Sequence, residues 1–326
     1  MPPFRQNKIA PMIPHSKPKA KTILLHPRYW PAWAGLGVLW MLVHLPERLQ
    51  LGAGRLIGRL LYGCGGKLKR IARINLALCF PELTSHEQAE LLYKNFLSLG
   101  IGLIEAGRAF WLSDDRISAS CTIRGMEHAT AAFAKGKGIL LISPHFTCLE
   151  TVGRILGMRE DFAVMYRPHK KPLLEWIHNR FRNPHYRKSI PSHRVRELLR
   201  ALSQNLAVWY AYDIDAGKKN SVFAPFFGLP AASMTSVSRL AELSGAAIVP
   251  VHFYRRDGFR YEACVAAALD DFPSGDPVKD ATHLNASLET AIRAHPEQYI
   301  WQYQRWKTRP EGEQRFYVPA NPESYP

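Results

Sequence analysis

The sequence is poor in cysteine and has no arrangement of cysteines typical of a disulfide framework or a zinc site. Its five cysteines are scattered and include no CxxC pair, so neither kind of cross-link is indicated. The 22 glycines and 24 prolines follow no period, and no internal repeat is visible, which excludes collagen, solenoid and propeller folds. The scattered cysteines fit a reducing, cytosol-facing compartment. Because 47% of the residues are hydrophobic, global disorder is also excluded.

Acidic residues are absent before Glu47, although the same stretch contains several lysines and arginines. Prolines interrupt its first part repeatedly, so we expect residues 1–27 to be a basic flexible arm. Over all 326 residues, 43 Lys and Arg outweigh 27 Asp and Glu, which gives a formal net charge of +16. Such a charge favours a polyanionic partner: nucleic acid, an anionic membrane, an acidic carrier protein or a phosphorylated substrate.

The arm is followed by an uncharged run of sixteen residues, 30–45, with three tryptophans. As a helix this run reaches about 24 Å, whereas a hydrocarbon core is about 30 Å thick. We therefore predict a membrane anchor helix over residues 28–46 that inserts in the bilayer or spans it with its flanks. A secretory signal and a buried core helix are the alternatives, although the run begins late for a signal and no convincing cleavage site follows it.

Residues 47–62 predict an amphipathic helix at the membrane interface. Leu49, Leu56 and Leu60 recur at helical spacing, whereas Arg55 and Arg59 lie on another face. An ordinary half-buried helix has the same pattern, but the neighbouring Trp-rich run favours the interfacial interpretation.

From residue 121 onward, short apolar runs alternate with helical stretches, which is typical of an α/β fold. Strands are predicted at 138–143, 162–167, 206–212, 246–255 and 260–266. Helices are predicted at 85–111, 147–157, 170–182, 193–204, 232–244 and 281–307, the first with a capping box that starts at Ser85. We expect a single α/β domain over 47–310, with a largely parallel or mixed sheet flanked by helices, and a C-terminal tail over 311–326.

A candidate catalytic histidine follows the first of these strands. The strand ends at Ser143, and His145 comes at its carboxyl edge, where α/β sheets bind ligands. Glu150 follows five residues later, and its carboxylate can turn back toward the imidazole if a helix begins near Thr147. A histidine held by a carboxylate is a general base. The alternatives are that Thr147 and Glu150 form a helix capping box and that Cys148 is a nucleophile beside His145.

Together with five other strings, this pair resembles the late acyltransferases of lipid A biosynthesis, a branch of the lysophospholipid acyltransferase superfamily whose signature is H-x-x-x-x-D/E. His145 and Glu150 match the signature. The other strings, in order, are NLALCFPEL (75–83), MYRPHKKPLLEW (165–176), WYAYDIDAG (209–217), FAPFFGLPAA (223–232) and PEQYIWQYQRWKTRPEG (296–312). The Trp-rich run is similar to the family's N-terminal membrane anchor.

The resemblance implies transfer of a fatty acyl chain, lauroyl or myristoyl, from acyl carrier protein to a hydroxyacyl chain of a Kdo-modified, phosphorylated lipid A precursor. His145 would deprotonate the acceptor hydroxyl and Glu150 would orient His145, while backbone N–H groups after His145 are candidate oxyanion donors. It also implies a bacterial inner-membrane enzyme whose catalytic domain faces the cytoplasm and contacts membrane lipids. The net positive charge fits these anionic partners. No nucleotide, metal or flavin motif is visible, so no tightly bound cofactor is expected.

Arg167 is the first candidate for binding substrate anions, because it follows the second predicted strand and a guanidinium holds phosphate or carboxylate in a bidentate fork. A surface arginine at the end of a strand is the alternative. A second basic group is more typical of a solvated helix face; it comprises Arg180, Arg182, Arg187 and Lys188.

Two further pairs are candidate substrate-binding residues. Asp213 and Asp215 follow the third predicted strand, and they can position His145, orient Arg167, bind a cation or simply form a turn before glycine. Asp215 is the closer match to the family's pattern. Phe227 and Gly228 lie in the string that resembles the superfamily's third block, which is thought to shape the acceptor site, and the glycine allows close backbone approach. A tight apolar turn is the alternative.

Several other functions are compatible with parts of the sequence. A related acyltransferase with a glycerolipid or mannosylated acceptor, and an acyl thioesterase, would share the His145 chemistry. A basic nucleic-acid or membrane-surface binding protein would explain the charge and the aromatic-basic C-terminal string, but no nucleic-acid-binding motif is present, and we expect no nucleic-acid partner. The sequence leaves open the length of the acyl chain and the position that is acylated, with a slight preference for the lauroyl-type branch.

Overall fold

The computed structural model describes residues 26–118 and 120–318. Nearly all of the predicted arm, and residues 319–326 of the predicted tail, therefore lie outside the described residues. The α-helices are α1 (Trp30–Val43), α2 (Glu47–Cys64), α3 (Gly66–Cys79), α4 (Ser85–Trp111), α5 (Asp114–Ser118), α6 (Met126–Phe133), α7 (Leu149–Arg159), α8 (Pro172–Ile177), α9 (Val195–Ser203), α10 (Ser236–Ser244) and α11 (Pro277–Ala294). The strands are β1 (Cys121–Arg124), β2 (Ile139–Ser143), β3 (Phe162–Tyr166), β4 (Lys188–Pro191), β5 (Ala207–Ala211), β6 (Ser221–Phe226), β7 (Leu229–Met234), β8 (Ala247–Arg255) and β9 (Tyr261–Val265).

Seven strands form one mixed sheet in the order β1-β9-β8-β2-β5-β3-β4, and β6 and β7 form a separate hairpin. Every neighbouring pair in the large sheet is parallel except β8 with β9. The predicted α/β class with a mixed sheet flanked by helices is confirmed. Because β2, β3, β4, β5 and β8 run in the same direction, their carboxyl ends share one edge of the sheet, and the loops that follow them meet there.

All five predicted strands are present within one residue of the expected bounds. The predicted helix over 232–244 was wrong at its start, because residues up to Met234 belong to β7 and α10 begins at Ser236. The predicted helix over 281–307 was also wrong: α11 ends at Ala294, and an irregular segment with a short 3-10 turn at Pro296–Gln298 follows. Proline at 296 lacks the backbone N–H that a continuing helix needs. The capping box of α4 is formed by Thr84 and Glu87, not by Ser85.

The Trp-rich run forms α1, which is fourteen residues long. Within residues 26–118 and 120–318, no helix combines the length and the apolar character needed to cross a bilayer. Of the two arrangements expected for residues 28–46, insertion or spanning, these residues therefore offer no spanning helix. Only one side of α1 packs on the protein: Leu39 and Val43 lie against Gly107 of α4, while Trp40 and Met41 are at least half exposed.

The corner between α1 and α2 is fixed by a buried polar side chain. The amide nitrogen of Gln50 donates to the carbonyl oxygens of Val43 and Leu45, at 2.9 and 2.6 Å. The guanidinium of Arg108 donates to the Gln50 amide oxygen at 2.7 Å and also pairs with Glu47 at 3.0 Å. These bonds satisfy carbonyls at the end of α1 and hold α1 and α2 against α4.

Helix α2 presents three of its five leucines to solvent. Leu49, Leu56 and Leu60 are each more than half exposed, whereas its buried face carries Gly54 and Gly58. The apolar stripe predicted from the sequence is real, but it faces away from the protein core. Leu51, Ile57 and Leu61 pack against the core, so α2 carries apolar side chains on both its inner and its outer face.

The C-terminal segment belongs to the core. Trp301 and Trp306 are almost fully buried, and Asn75 of α3 donates to the carbonyl oxygens of Trp301 and Tyr303 at 2.6 and 2.7 Å. The described part of the predicted tail also packs inward, because the Tyr317 hydroxyl donates to the Asn75 side-chain oxygen at 2.5 Å. Trp301 and Trp306 are therefore structural.

Candidate active site

The pairing of β2 with β5 brings together two side chains that are far apart in the sequence. Ser143 and Ala211, the last residues of these strands, are register partners. The chain continues for two residues on each side, to His145 and Asp213. The Nδ1 atom of His145 lies 2.6 Å from Oδ1 of Asp213, and the backbone N–H of His145 donates to Oδ2 at 2.9 Å. One carboxylate thus holds both the ring and the backbone of His145.

The environment of this pair favours its charged form. The Asp213 side chain is 2% exposed and that of His145 is 33% exposed. Burial alone lowers the pKa of His145, but the charge and hydrogen bond of Asp213 outweigh burial, so the pKa lies above its ordinary value. Burial acts to raise the pKa of Asp213, and His145 outweighs it, so that pKa is held below its ordinary value. His145 is therefore a stronger base than a free imidazole.

The expected contact between Glu150 and His145 was wrong. Glu150 lies in the first turn of α7, and its carboxylate pairs instead with the guanidinium of Arg182, with Nε and Oε2 3.2 Å apart. Both groups still act electrostatically on the pKa of His145, in opposite directions and more weakly than Asp213. The carboxylate that holds the imidazole comes from the neighbouring strand, while Glu150 and Arg182 form a second charged pair beside it.

Asp215 does not reach His145. Its carboxylate accepts hydrogen bonds from the backbone N–H and the hydroxyl of Thr308, at 2.6 and 2.9 Å, and from the backbone N–H of Gly217 at 2.9 Å. It therefore fastens the C-terminal segment to the loop after β5. Of the two aspartates that the sequence left open, Asp213 lies at the histidine and Asp215 has a structural position.

Two aromatic residues complete the surroundings of His145 and were missed in the sequence. Trp209 packs edge-on against the imidazole, with ring centroids 6.3 Å apart, and its indole N–H donates to the Ser143 hydroxyl at 2.7 Å. Burial and the nearby Asp213 carboxylate raise the pKa of Tyr299 well above its ordinary value. Both residues lie in strings that carry the family resemblance, but only the folded chain shows that Trp209 borders His145 and that Tyr299 lies near Asp213.

The turn after His145 is clamped by the C-terminal segment. The backbone N–H of Thr147 donates to the carbonyl of Gln298 at 2.9 Å, and the N–H of Ile300 donates to the carbonyl of His145 at 3.1 Å. The Thr147 N–H is thus engaged and is not a free oxyanion donor. The capping-box alternative was also wrong, because Cys148 is the N-cap of α7 and no side chain caps it.

A buried ion pair also contacts the turn after His145. The Arg255 guanidinium binds Glu105 through two bonds, of 2.7 and 3.0 Å, and donates to the Thr147 hydroxyl at 3.0 Å. The Ser98 and Thr147 hydroxyls are 2.8 Å apart. Cys148 is fully buried next to this network, and burial raises the pKa of its thiol far above its ordinary value. A nucleophilic role for Cys148 is therefore excluded.

Arg167 follows β3 at the edge of the sheet that carries His145. Its side chain is exposed, and it makes no hydrogen bond or ion pair with any residue that the structure describes, so it is available to an anion. In the other basic group, Arg187 pairs with Asp161 and Lys188 with Glu197. Together with the pair of Arg182 and Glu150, these contacts neutralise most of that group.

Phe227 and Gly228 form the turn of the β6–β7 hairpin. Both have positive φ angles, 49° and 75°, and a Cβ atom added at Gly228 would meet nothing within 4 Å. The glycine is therefore required by backbone conformation and not by close packing. Phe227 packs against Phe80 and Trp301, and within the described residues it makes no ring contact or hydrogen bond with His145. The hairpin does not bring these two residues to the histidine.

A narrow apolar cavity lies beside the candidate site. Its volume is about 20 Å³, and it lies between the sheet and α7. Residues that line it include Trp209, Leu141, Val164, Phe253 and Gly153. Trp209 therefore contacts both the cavity and the imidazole. In the described part of the chain, no group of three or more His, Cys, Asp or Glu residues is placed to bind a metal ion.

Comparison with known proteins adds to this geometry. The sequence profile of the family described as bacterial lipid A biosynthesis acyltransferase matches residues 17–308. The lipid A biosynthesis lauroyltransferase of Escherichia coli (strain K12) is 40% identical over 304 residues, which are 90% of this chain and 97% of the relative. The palmitoleoyltransferase of the same organism is 36% identical over 296 residues, 90% and 96% of the two chains. Its myristoyltransferase is 24% identical over 295 residues, 88% and 90% of the two chains. The chain therefore belongs to the bacterial lipid A biosynthesis acyltransferase family and is an acyltransferase.

Proposed function

We propose that this protein transfers a fatty acyl chain from acyl carrier protein to a hydroxyacyl chain of a Kdo-modified lipid A precursor, with His145 as general base. The observation that carries the proposal is the pair of His145 and Asp213 at the carboxyl edge of the sheet, 2.6 Å apart. No Ser or Cys nucleophile is needed, because the acceptor supplies its own hydroxyl.

The reaction follows from the position of the proton on His145. Since the Asp213 carboxylate accepts from Nδ1–H, Nε2 is the free acceptor for the substrate proton. His145 removes the proton from the acceptor hydroxyl as its oxygen attacks the thioester carbonyl and a C–O bond forms. When the tetrahedral intermediate collapses, the C–S bond breaks, and His145 returns the proton to the departing thiolate. The products are an ester on the acceptor and a free carrier thiol.

Two features of the site fit the two substrates. The apolar side chains around Trp209 offer a surface against which the donor's hydrocarbon chain, the group that gains most from leaving water, is buried once the cavity of about 20 Å³ widens. Arg167 lies unpaired at the same edge and binds a phosphate or carboxylate of the acceptor, which would align the acceptor hydroxyl with His145. Burial of the acyl chain and capture of the headgroup would then set the two reacting atoms against each other.

We further propose that the protein acts on the cytoplasmic face of the bacterial inner membrane. The exposed apolar side chains of α1 and α2 support this position, because Leu49, Leu56 and Leu60 form a stripe next to Arg55 and Arg59. Such a helix lies in the interface with its leucines among the acyl chains and its arginines at anionic headgroups. The lipid acceptor is then present on the surface to which the enzyme binds.

The test is mass spectrometry of a Kdo-bearing lipid A precursor after incubation with acyl carrier protein charged with lauroyl, myristoyl or palmitoleoyl chains. We expect a gain of one acyl group with the wild-type protein and none with His145→Ala, whose fold is checked by circular dichroism. We expect lauroyl transfer to be the fastest, in line with the lauroyl-type relative.

Other results would replace the proposal. Release of free fatty acid without a gain in precursor mass would assign a thioesterase. Transfer to lysophospholipid or to a mannosylated lipid, but not to the lipid A precursor, would move the acceptor to another class. A gain in mass that persists in a folded His145→Ala protein would remove the role of His145 as general base.

A further inference from the structure

The loops beside the candidate site carry a set of cations that lie far apart in the sequence. Strands β3, β4 and β5 are parallel neighbours, so the loops after them lie at one edge of the sheet, the edge that carries His145. Two lysines follow β3, one arginine lies in the first turn of α9 after β4, and two lysines follow β5. We name this set the cationic rim: Lys170, Lys171, Arg196, Lys218 and Lys219.

Every member of the cationic rim is exposed, and none has a side-chain hydrogen bond or ion pair with a residue in the described ranges. The acidic residues of the same loops are already engaged. Asp213 binds His145 and Asp215 binds Thr308. Glu175 accepts from the backbone N–H of His169 and from the Tyr166 hydroxyl, and Glu197 pairs with Arg194 and Lys188. Glu175 and Asp215 are held by neutral donors and keep their charge, but the five cations of the rim outnumber them, so the rim presents a net positive charge to solvent.

The surface chemistry of the rim differs from that of the membrane-facing helices. Most of the large apolar side chains that are exposed lie on or between α1, α2 and α3. Next to the cationic rim, Leu174 and Val195 are the exposed large apolar side chains of the described residues. A charged surface with few apolar side chains fits the rim and core pattern of a transient protein interface better than insertion into a bilayer.

We propose that the cationic rim is the docking surface for the acidic face of the acyl carrier protein that delivers the thioester. The inference rests on the proposed function, since it concerns the donor of that reaction. Lysines placed around the mouth of a site attract an acidic protein at long range and orient it before contact. Docking at the edge that carries His145 brings the carrier's thioester within reach of the imidazole. Arg167, at the same edge, remains assigned to the acceptor.

The test reverses charge on the rim and compares two donors. In one variant Lys170 and Lys171 are changed to Glu, and in a second Lys218 and Lys219 are changed to Glu. The matched control changes Lys135 and Lys137 to Glu; both are exposed, but they precede β2 and so lie at the opposite edge of the sheet. Each protein is assayed with acyl carrier protein thioester and with acyl-pantetheine, a small thioester without an acidic surface. Binding of acyl carrier protein is titrated separately.

We expect each rim variant to raise the KM for the carrier thioester about tenfold or more, since opposed like charges at an interface cost affinity. The rate with acyl-pantetheine, the KM for the acceptor and all properties of the control should stay at wild-type values. The carrier KM of the wild type should rise with salt, and that of the rim variants should depend on salt less.

Three results would overturn the docking surface. These are a rim variant that binds acyl carrier protein as tightly as wild type, a rise in the KM for the acceptor instead of the carrier, and loss of binding to anionic vesicles with an unchanged carrier KM. The titration keeps this inference separate from the proposed reaction. If wild type transfers no acyl chain, the reaction fails, while carrier binding that depends on the rim lysines still supports the surface.

Discussion

His145 and Asp213 form a unit in which one carboxylate fixes both the backbone and the ring of the base. Because Oδ2 accepts the backbone N–H and Oδ1 faces Nδ1, rotation of the imidazole would break a charge-assisted bond in a buried place. The tautomer is thereby fixed with its free nitrogen, Nε2, away from Asp213. A fixed base needs no reorientation when the acceptor hydroxyl arrives, which lowers the entropic part of the barrier.

This unit predicts the pH dependence of the reaction. The base acts only when neutral, so kcat/KM should fall as pH falls through the pKa of His145, which Asp213 holds above the ordinary value. In Asp213→Asn the raising influence is lost while burial still lowers the pKa. The acid limb of the profile should therefore move to lower pH, and the maximal rate should drop about 100-fold or more. Steady-state rates across the pH range measure both effects.

Glu150→Gln is the matched control for that experiment, because Glu150 influences His145 only at a distance. We expect its acid limb to move less than that of Asp213→Asn. A profile displaced by Glu150→Gln and unmoved by Asp213→Asn would mean that Glu150 holds the imidazole during turnover. Thermal unfolding of both variants separates these shifts from loss of fold.

At the scale of elements, α2 and α4 approach each other through glycines. A Cβ atom added at Gly100 of α4 would lie 2.2 Å from the carbonyl oxygen of Gly54 and 2.3 Å from the nitrogen of Gly58. Both atoms belong to the backbone of α2, so they cannot move aside as a side chain can. The close approach holds α2 on the domain with Leu49, Leu56 and Leu60 outward.

Gly100→Ala should therefore destabilise the protein. We expect the free energy of unfolding to fall by about 1–3 kcal/mol, as is typical of overpacking, in chemical denaturation followed by circular dichroism. Gly52→Ala is the control, since nothing lies within 4 Å of its added Cβ; removing a helical glycine there should raise stability by about 0.5–1 kcal/mol. Equal effects of the two substitutions would show that helix propensity, not the contact, governs this position.

The elements that the sequence predicted best are those with an unambiguous burial pattern. β2, β3, β5 and β8 are apolar runs bounded by turns, and they were confirmed. The edge strands β1 and β4 are short and half-exposed, and β6 and β7 contain Pro225 and Pro230, which are unusual in strands. These strands depend on tertiary contacts that local sequence does not encode.

In the candidate site, too, the sequence predicted one residue well and its partner poorly. His145 was predicted because the end of a buried strand marks the edge where ligands bind. Its partner was expected at Glu150, since five residues along the chain is a visible spacing, whereas Asp213 is 68 residues away. Only the register of β2 with β5 brings Asp213 to the imidazole. Sequence spacing reveals neighbours along the chain and leaves neighbours across a sheet undetermined.

For the whole molecule, the exposed leucines of α2 predict binding to a lipid surface. Changing Leu49, Leu56 and Leu60 to Ser should weaken binding to vesicles that contain phosphatidylglycerol at least about tenfold, since the loss of even one inserted leucine, on the order of 1.5 kcal/mol, already corresponds to that factor. The fold should be unaffected, because these side chains contact mainly solvent. Vesicle sedimentation measures the binding.

A second variant tests whether position, and not apolar area alone, matters. Leu243 and Val278 are also exposed, but they lie on α10 and α11. Changing both to Ser should leave vesicle binding at the wild-type level. If this variant lost as much affinity as the α2 variant, binding would be unspecific and α2 would not be the membrane-facing helix.

The residues between His145 and Asp213, which are separated by 68 positions in the sequence, also have a consequence for folding. They include β3, β4 and β5, so the pair cannot close until β5 has inserted between β2 and β3. Non-local pairing of this kind is slow compared with helix formation. Activity therefore appears only in chains whose central strands are already paired, and a nascent chain that ends before β5 carries the base without the carboxylate that fixes it.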